Sequence, residues 1–202
     1  MSTGNLLLAE LDRPPVDAAT CARFVGKGVD ALVRRLLEHT GGISGGDPAP
    51  HVARFRAVYA LDPVTGTSLY PGVPAALATL AAAGHGLGVC TQKPDAPALT
   101  LLEALGLMPP IIALTGGDSL DVLKPDPRML AHTAAQLPPG PILYVGDSET
   151  DAETARRAGV PFFLHTEGYR QSPPEALPHA AAFADFAALP ALVERLAAAA
   201  AA

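Results

Sequence analysis

The feature that most constrains the fold is an alternation of helical segments with short apolar runs, which begins near Ser68 and continues to the end of the chain. Four runs, LGVCT, IIALT, ILYVGD and VPFFLHT, each follow a segment whose apolar residues recur at helical spacing. This order is typical of a parallel sheet with helices packed on its faces. We therefore predict an α/β core with four strands over residues 67–202.

Residues 1–66 follow a different pattern, in which every periodic segment indicates a helix. The segments are NLLLAEL, DAATCARFVG, VDALVRRLLEH and PAPHVARFRAVYA. In VDALVRRLLEH the apolar residues recur at spacings of three and four, which predicts one buried face. The residues on that face are Val29, Leu32, Val33, Leu36 and Leu37. The sequence thus predicts an all-helical unit before the α/β core.

Composition and charge limit the partners of the chain. Its formal net charge is -6, its basic residues are scattered and it has no tryptophan, so we expect neither a nucleic-acid nor an anionic-membrane surface. Cys21 and Cys90 form no disulfide framework and have no metal-ligand spacing. Without a leader pattern or an apolar run near 18 residues, a cytoplasmic protein that acts on a small molecule is the default expectation.

Polar residues follow three of the apolar runs. Thr91 ends LGVCT and is followed by Gln92 and Lys93, Asp147 ends ILYVGD, and Lys124 comes shortly after IIALT. Ligands of open parallel sheets bind beyond the C-terminal ends of the strands. We therefore expect these side chains to share one rim of the core.

A hydroxyl, a lysine and two carboxylates at one rim would suit a phosphoryl group held against Mg²⁺. Magnesium prefers carboxylate and water oxygens in octahedral geometry, and Asp147 with Asp151 would supply one or two of them. Thr91 and the free N–H groups of the following turn can bond phosphoryl oxygens. Lys124 would offset negative charge as a compact cation.

Each of these residues also has a structural interpretation. Asp147 and Ser148 are residue types that often cap a helix, here one that would begin near Thr150. Thr91 is compatible with a plain strand end, and Lys124 with a solvated loop lysine. Their joint occurrence at the boundaries of successive elements favours the phosphate and magnesium site.

Three stretches carry a resemblance to a known family: LYPGVPAALATLAAAGHGLGVCTQKP, GGDSLDVLKPDPRML and VGDSETDAETARRAG. On these motifs the chain resembles the haloacid dehalogenase-like hydrolases, and within them the phosphoglycolate phosphatase group. The resemblance implies a Rossmann-like parallel sheet with a small helical cap. It makes Thr91 the phosphate-binding hydroxyl, Lys124 the lysine of the third motif, and Asp147 and Asp151 the acids of a magnesium site.

The resemblance extends to residues near the substrate. FVGKGVDALV is similar to the cap loop of the family, which makes Gly26, Lys27 and Gly28 candidates for specificity. Gln92 and Lys93, beside Thr91, are further candidates for substrate binding. The domains implied are a cap over residues 1–66, including the helix after the first motif, and a core over residues 67–202.

The reaction implied by the resemblance begins with attack of an aspartate on a phosphomonoester, and water then hydrolyses the aspartyl-phosphate. A second aspartate two residues later acts as general acid and base, and the cap closes to exclude water. Both belong to a motif DxDGT, which this sequence does not contain. Asp12 and Asp17 do not follow a strand-like run and are not expected to replace them.

The missing motif would also remove a central strand of the sheet. In the family this strand lies between those assigned to LGVCT and ILYVG, so two inner edges would lack a partner. Each buried, unsatisfied backbone group costs roughly 1–3 kcal/mol, against a net stability of about 5–15 kcal/mol. Either the two strands pair directly, or another segment or chain fills the gap, or the gene product starts upstream. We favour the last and expect an upstream DxDGT.

The leading hypothesis is a Mg²⁺-dependent phosphatase of small phosphorylated metabolites, with 2-phosphoglycolate as the first candidate and a monomer or homodimer as the assembly. The chain as given is expected to be inactive or nearly so. One alternative is a non-catalytic relative that binds phosphorylated ligands, or a partner through an exposed sheet edge. Another is a phosphosugar mutase on the same scaffold. A dehalogenase is disfavoured, because it would not need the magnesium-site acids.

Overall fold

The computed structural model describes residues 2–25, 28–43 and 46–200. Gly26 and Lys27, two of the three predicted specificity residues, lie outside these ranges. Gly28, the third, is described and begins a helix.

The first part of the chain is helical, as predicted. Its helices are α1 (Thr3–Glu10), α2 (Ala18–Ala22), α3 (Gly28–His39) and α4 (Ala49–Leu61). Helix α2 is shorter than the segment DAATCARFVG predicts. The amides of Phe24 and Val25 bond to carbonyls three residues back, at Cys21 and Ala22, and this tighter 3₁₀-type turn ends the α-helix.

An apolar cluster holds α1, α3 and α4 together. Its buried members are Leu7, Val33, Leu37, Val52 and Phe55. The α3 residues in this cluster are among those that the spacing of apolar residues placed on one face. Burial of such side chains is worth about 1.5–3 kcal/mol each, so the helices are held by packing rather than by their intrinsic propensity.

The rest of the chain alternates between helix and strand. The helices are α5 (Val73–Ala82), α6 (Asp95–Ala104), α7 (Pro127–Ala134), α8 (Glu149–Ala158) and α9 (Leu189–Ala200). The strands are β1 (Leu87–Cys90), β2 (Ile111–Thr115), β3 (Tyr144–Gly146), β4 (Phe162–His165) and β5 (Ala181–Phe183). Short 3₁₀ turns occur at Pro174–Ala176 and Phe186–Ala188.

Strand β5 is absent from the four predicted strands. It has three residues, Ala-Ala-Phe, and alanine is depleted in strands, so neither its length nor its composition signals a strand. It forms because its backbone pairs with β4, where Phe163 is opposite Ala181 and His165 is opposite Phe183.

All strand pairs are parallel, as predicted, but within the described residues the strands form two sheets. One contains β1 and β2, and the other contains β3, β4 and β5 in that order. No hydrogen-bonded ladder joins β1 to β3 in this part of the chain, so the alternative in which they pair directly is not observed. Every residue of β4 is buried, whereas the residues of β1 are half-buried or exposed.

Helix α8 packs on the three-stranded sheet, and helix α7 packs between α8 and the sheet of β1 and β2. Leu130 of α7, Ala152 and Ala155 of α8, and Tyr144 and Phe162 of the sheet belong to one buried cluster. This packing brings the N-terminal end of α8 and the loop before α7 to the same side of β3. The division into a cap and a core at residue 66 stays a prediction.

Candidate active site

Lys124 lies at the centre of the site, in the loop between β2 and α7. Its Nζ donates to Oδ1 of Asp151 at 2.7 Å, to the hydroxyl of Tyr144 at 2.9 Å and to the carbonyl oxygen of Cys90 at 3.1 Å. The side chains of Lys124 and Asp151 are only 10% and 7% exposed. Lys124 is therefore not the solvated loop lysine of the structural interpretation. It bridges the two sheets through Cys90 of β1 and Tyr144 of β3.

Asp151 uses both of its carboxylate oxygens within the protein. The Tyr144 hydroxyl donates to Oδ1 at 2.8 Å, beside Lys124. Oδ2 accepts the Ser148 hydroxyl at 2.6 Å and the amides of Asp147 and Ser148 at 3.3 Å. Ser148 Oγ accepts the Asp151 amide in turn, which completes a capping box at the start of α8.

Two effects oppose each other at the Asp151 carboxyl group. Burial alone would raise its pKa, but the charge of Lys124 and the hydrogen bonds from Lys124, Ser148 and Tyr144 outweigh burial, and the pKa is lowered. Burial and the Asp151 charge raise the pKa of Tyr144 well above its ordinary value. Asp151 is therefore held as a carboxylate, and Tyr144 as a neutral phenol.

Asp147 has a different environment from Asp151. Its Oδ2 accepts the amide of Tyr169 at 2.6 Å, whereas Oδ1 takes no hydrogen bond from the described residues. Burial, with a contribution from the nearby Asp151 charge, raises the pKa of Asp147. A Cβ at Gly168 would collide with the Asp147 carboxylate, so the loop after β4 passes closely over it only because residue 168 is glycine.

The structural interpretation of residues 147 and 148 is half right. Ser148 caps the helix, which begins at Glu149, but Asp147 does not cap it. Glu149 also binds the loop after β4, since its Oε1 accepts the amides of Gln171 at 2.9 Å and Ser172 at 2.6 Å. Two carboxylates at the start of α8 thus hold the backbone of one loop.

Thr91 directly follows β1. Its amide donates to the carbonyl of Thr115 at 2.9 Å, and its Oγ1 accepts the amide of Lys93 at 3.1 Å. The carbonyl of Lys93 accepts the amide of Gly117 at 2.8 Å. The turn after β1 is therefore fastened to the loop after β2. Among the described residues the Thr91 hydroxyl donates to no acceptor, so its proton is available to a ligand.

The other predicted substrate residues lie where the helical part meets this turn. The Lys93 ammonium is hydrogen-bonded to the Tyr59 hydroxyl of α4 and lies 4.4 Å from the centre of that ring. Gly28 begins α3 with φ +83°, and a Cβ there would lie 3.3 Å from Oε1 of Gln92. Burial lowers the pKa of Lys93.

The structure thus joins some of the predicted residues and separates others. Lys124, Asp151 and Asp147 form one hydrogen-bonded group, and Thr91 is next to Cys90, a partner of Lys124. Lys93, Gln92 and Gly28 form a second group. Sequence reasoning missed Tyr144 and Tyr59; a hydroxyl in an otherwise apolar strand was the one signal for Tyr144.

Asp12 and Asp17, in the first part of the chain, do not join the site. Asp17 caps α2, accepting the amide of Thr20 at 2.6 Å, and Asp12 lies in the turn after α1. This agrees with the expectation that neither replaces an aspartate of the first motif.

The donor set suits a magnesium ion that keeps several of its own waters. In the described part of the chain no three His, Cys, Asp or Glu side chains are grouped as a metal site, but Mg²⁺ is commonly held by one or two carboxylates with water and phosphate oxygens. Asp147 fits this, because its Oδ1 has no hydrogen bond from the described residues. Asp151 fits less directly, because both of its oxygens are occupied. The assignment of both as ligands stays a prediction.

A parallel α/β core with charged groups after its strands defines a class of α/β proteins that bind small ligands at this rim. The family model described as haloacid dehalogenase-like hydrolase matches residues 3–159. The chain belongs to the haloacid dehalogenase-like hydrolase family.

The chain is also similar to individual proteins of this family. The chain is 44% identical over 193 residues to the phosphoglycolate phosphatase of Cereibacter sphaeroides, covering 95% of this chain and 88% of the relative. It is 45% identical over 193 residues to that of Rhodospirillum rubrum, covering 92% and 80%. The crystal structure of a predicted phosphoglycolate phosphatase from Haemophilus somnus is 27% identical, with a TM-score of 0.85 over 95% of this chain and 88% of that one. Among the described helices, none has both the length and the hydropathy needed to cross a membrane.

Proposed function

We propose that the activity of this chain is Mg²⁺-dependent hydrolysis of small phosphomonoesters, with 2-phosphoglycolate as the first substrate to test. The relatives named phosphoglycolate phosphatase support the substrate class. The observation that carries the proposal is the buried Lys124–Asp151 pair, which lies beside Asp147. Its lysine bonds to the carbonyl oxygen of Cys90, the residue before Thr91. A cation, a carboxylate with an available oxygen and a hydroxyl together suit a phosphoryl group.

The residues take separate roles in this proposal. Thr91 donates its hydroxyl to a phosphoryl oxygen, and Lys124 offsets the charge that builds up on the transferred group. Asp147 holds Mg²⁺, which when bound neutralises phosphoryl charge. Asp151 remains the second predicted ligand of Mg²⁺, and its carboxylate also fixes the position of the Lys124 ammonium. Gly26, Lys27, Gly28, Gln92 and Lys93 remain the candidates for contacts to the rest of the substrate.

The nucleophile is the aspartate of a DxDGT motif, which the 202 residues do not contain. We propose that the 202-residue polypeptide has little or no turnover by itself, and that residues 1–66 act as the cap over a core of residues 67–202. The expected assembly is a monomer or homodimer in the cytoplasm.

The test is a phosphate-release assay with 2-phosphoglycolate and Mg²⁺, with chelator as the blank. The assay compares the 202-residue chain with a form extended at its N-terminus by an apolar strand ending in DxDGT. Activity in the extended form alone is expected. Equal activity of both forms would refute the role given to the missing motif.

Two other outcomes separate the alternatives. Phosphate binding without turnover in the extended form would favour a non-catalytic binding protein. A screen of products from phosphosugars would detect a mutase, because an isomerised sugar phosphate would appear instead of inorganic phosphate.

A further inference from the structure

Lys93 is a cation without an acidic partner in the described part of the chain. Its ammonium is bonded to the Tyr59 hydroxyl and lies 4.4 Å from the centre of the Tyr59 ring. Those described residues supply no salt bridge to it, and burial alone lowers its pKa. A half-buried ammonium that has lost part of its hydration gains more from an anion than a fully hydrated one does.

Lys93 is held in place both at its backbone and at its ammonium group. Its backbone amide donates to Thr91 Oγ1 at 3.1 Å, and its carbonyl accepts the amide of Gly117 at 2.8 Å. The ammonium is held by Tyr59, which stacks on Phe55 with ring centres 6.2 Å apart. The backbone of Lys93 is therefore fixed beside Thr91, and its charge is directed from this turn toward α4.

A cavity lies next to the turn that contains Lys93. Gln92 and Pro94, the residues on either side of Lys93, line this cavity of about 70 Å³ together with Gly28, Asp30, Arg56 and Gly117, whereas Lys93 itself is not part of the lining. A site of this size exceeds what one water molecule needs. The cavity lies between the helical part and the loops after β1 and β2, next to the turn that contains Thr91.

Arg56, the cation that does line this cavity, already has a partner. Its Nη2 lies 2.8 Å from Oδ1 of Asp30, and both side chains are about half exposed or more. Lys124 is likewise paired, with Asp151. Of these three cations, Lys93 is the one that a second anionic group of a ligand would meet without displacing a carboxylate.

We propose that Lys93, positioned by Tyr59, binds a carboxylate that lies close to the phosphoryl group of the substrate, and so selects phosphorylated carboxylic acids over simple alkyl phosphates. This rests on the proposed function, because it takes the phosphoryl group to bind at Thr91 and Lys124. Tyr59 is a positioning residue, since it acts through the lysine.

The test measures binding and does not depend on turnover. Calorimetric titrations of the 202-residue protein in Mg²⁺ buffer use 2-phosphoglycolate, ethyl phosphate and inorganic phosphate. A hydrogen bond to a charged group is worth about 1.5–3 kcal/mol, or roughly ten- to a hundredfold in affinity. We therefore expect 2-phosphoglycolate to bind at least about tenfold more tightly than ethyl phosphate.

Variants assign that preference to Lys93. Lys93→Met should remove it while leaving the affinity for ethyl phosphate within about twofold, and Lys93→Arg should restore part of it. Tyr59→Phe keeps the ring and loses the hydroxyl, so it should reduce the preference by roughly two- to tenfold. Arg128→Met removes an equal charge at an exposed site and should change nothing. Far-UV circular dichroism checks that each variant is folded.

The outcomes separate the two proposals. If wild type binds none of the three ligands, the phosphate site fails and the inference fails with it. If wild type binds both esters equally, or if Lys93→Met weakens both by the same factor, the role of Lys93 is refuted while the phosphate site stands.

Discussion

Lys124 and Asp151 form an ion pair that is almost completely buried, with Nζ 2.7 Å from Oδ1 and both side chains at most 10% exposed. The Tyr144 hydroxyl accepts from one partner and donates to the other. Removal of one member of a buried pair leaves the other charge without compensation. The pair therefore matters both to the proposed phosphate site and to the stability of the fold.

Lys124→Met or Asp151→Asn should each lower the free energy of unfolding by about 3–5 kcal/mol. In a chain of this size that corresponds to a fall in Tm of roughly 10 °C. Urea titration followed by far-UV circular dichroism measures the change.

The double variant and a surface control test whether the pair is the cause. Because the two losses share one interaction, the double variant should cost clearly less than the sum of the single variants. Arg128→Met breaks ion pairs in which the arginine is 59% exposed and should cost less than about 1 kcal/mol. Additive losses would contradict the coupling.

Asp147→Asn should change stability in the opposite direction. The folded-state pKa of Asp147 is raised by burial, so its ionised form is disfavoured by folding and costs stability at neutral pH. Asparagine removes the charge and can still accept the Tyr169 amide. A higher Tm than wild type at pH 7 is expected, and a lower one would contradict the assignment.

The same substitution should weaken magnesium binding. Mg²⁺ that binds the folded state raises the Tm of wild type by mass action, and Asp147→Asn removes the carboxylate proposed to hold it. The Tm shift on adding MgCl₂ should fall toward zero, while CaCl₂ and NaCl series control for ionic strength. A full shift in the variant would show that the ion binds elsewhere.

Stability should depend on pH with opposite signs at the two aspartates. The pKa of Asp151 is lowered in the folded state, from an ordinary value of 3.8. Its contribution is therefore fully present above about pH 4 and is lost as pH falls through the folded value. The difference in unfolding free energy between wild type and Asp151→Asn should shrink below about pH 4.

Ionised Asp147 lowers the stability of the fold, because its pKa is raised in the folded state. Its cost is present above the folded pKa and disappears as pH falls to the unfolded value of 3.8. The gain from Asp147→Asn should therefore also vanish in acid. Unfolding curves of the three proteins between pH 7 and pH 3 would reveal both trends.

Gly146→Ala should disturb the site through sterics alone. A Cβ at residue 146 would lie 2.5 Å from Cβ of Asp151, so the start of α8 must shift. Overpacking of this kind costs about 1–3 kcal/mol. Gly140→Ala is the matched control, because a Cβ there meets nothing within 4 Å; an equal loss in both variants would contradict the steric explanation.

Much of the fold follows from local patterns. The alternation of helix and apolar run predicts the helices and β1 to β4, because the spacing of apolar residues within each segment shows which face of that segment is buried. Strand β5 could not be predicted in this way, because the three residues Ala-Ala-Phe form a strand only when the edge of β4 is available to pair with them. The early end of α2 depends likewise on a turn and not on periodicity.

The sequence likewise predicts some features of the candidate site, and others depend on the tertiary structure. Residue type and position after a strand identify Thr91, Lys124, Asp147 and Asp151, since polar groups at the C-terminal ends of parallel strands meet on one side of the core. The different states of the two acids do not follow from the motif. Asp151 has a lowered pKa because a lysine from another loop reaches it, and Asp147 has a raised pKa because a loop covers it.

The sequence by itself determined the family, the order of the elements and the residue types at the rim, because these depend on composition and spacing within short segments. Only the tertiary structure decided that Lys124 is buried between two sheets, that Tyr144 completes its contacts, and that Lys93 is bonded to Tyr59. Those contacts join residues that lie 20 to 34 positions apart. Their energies depend on burial and distance, which no local pattern specifies.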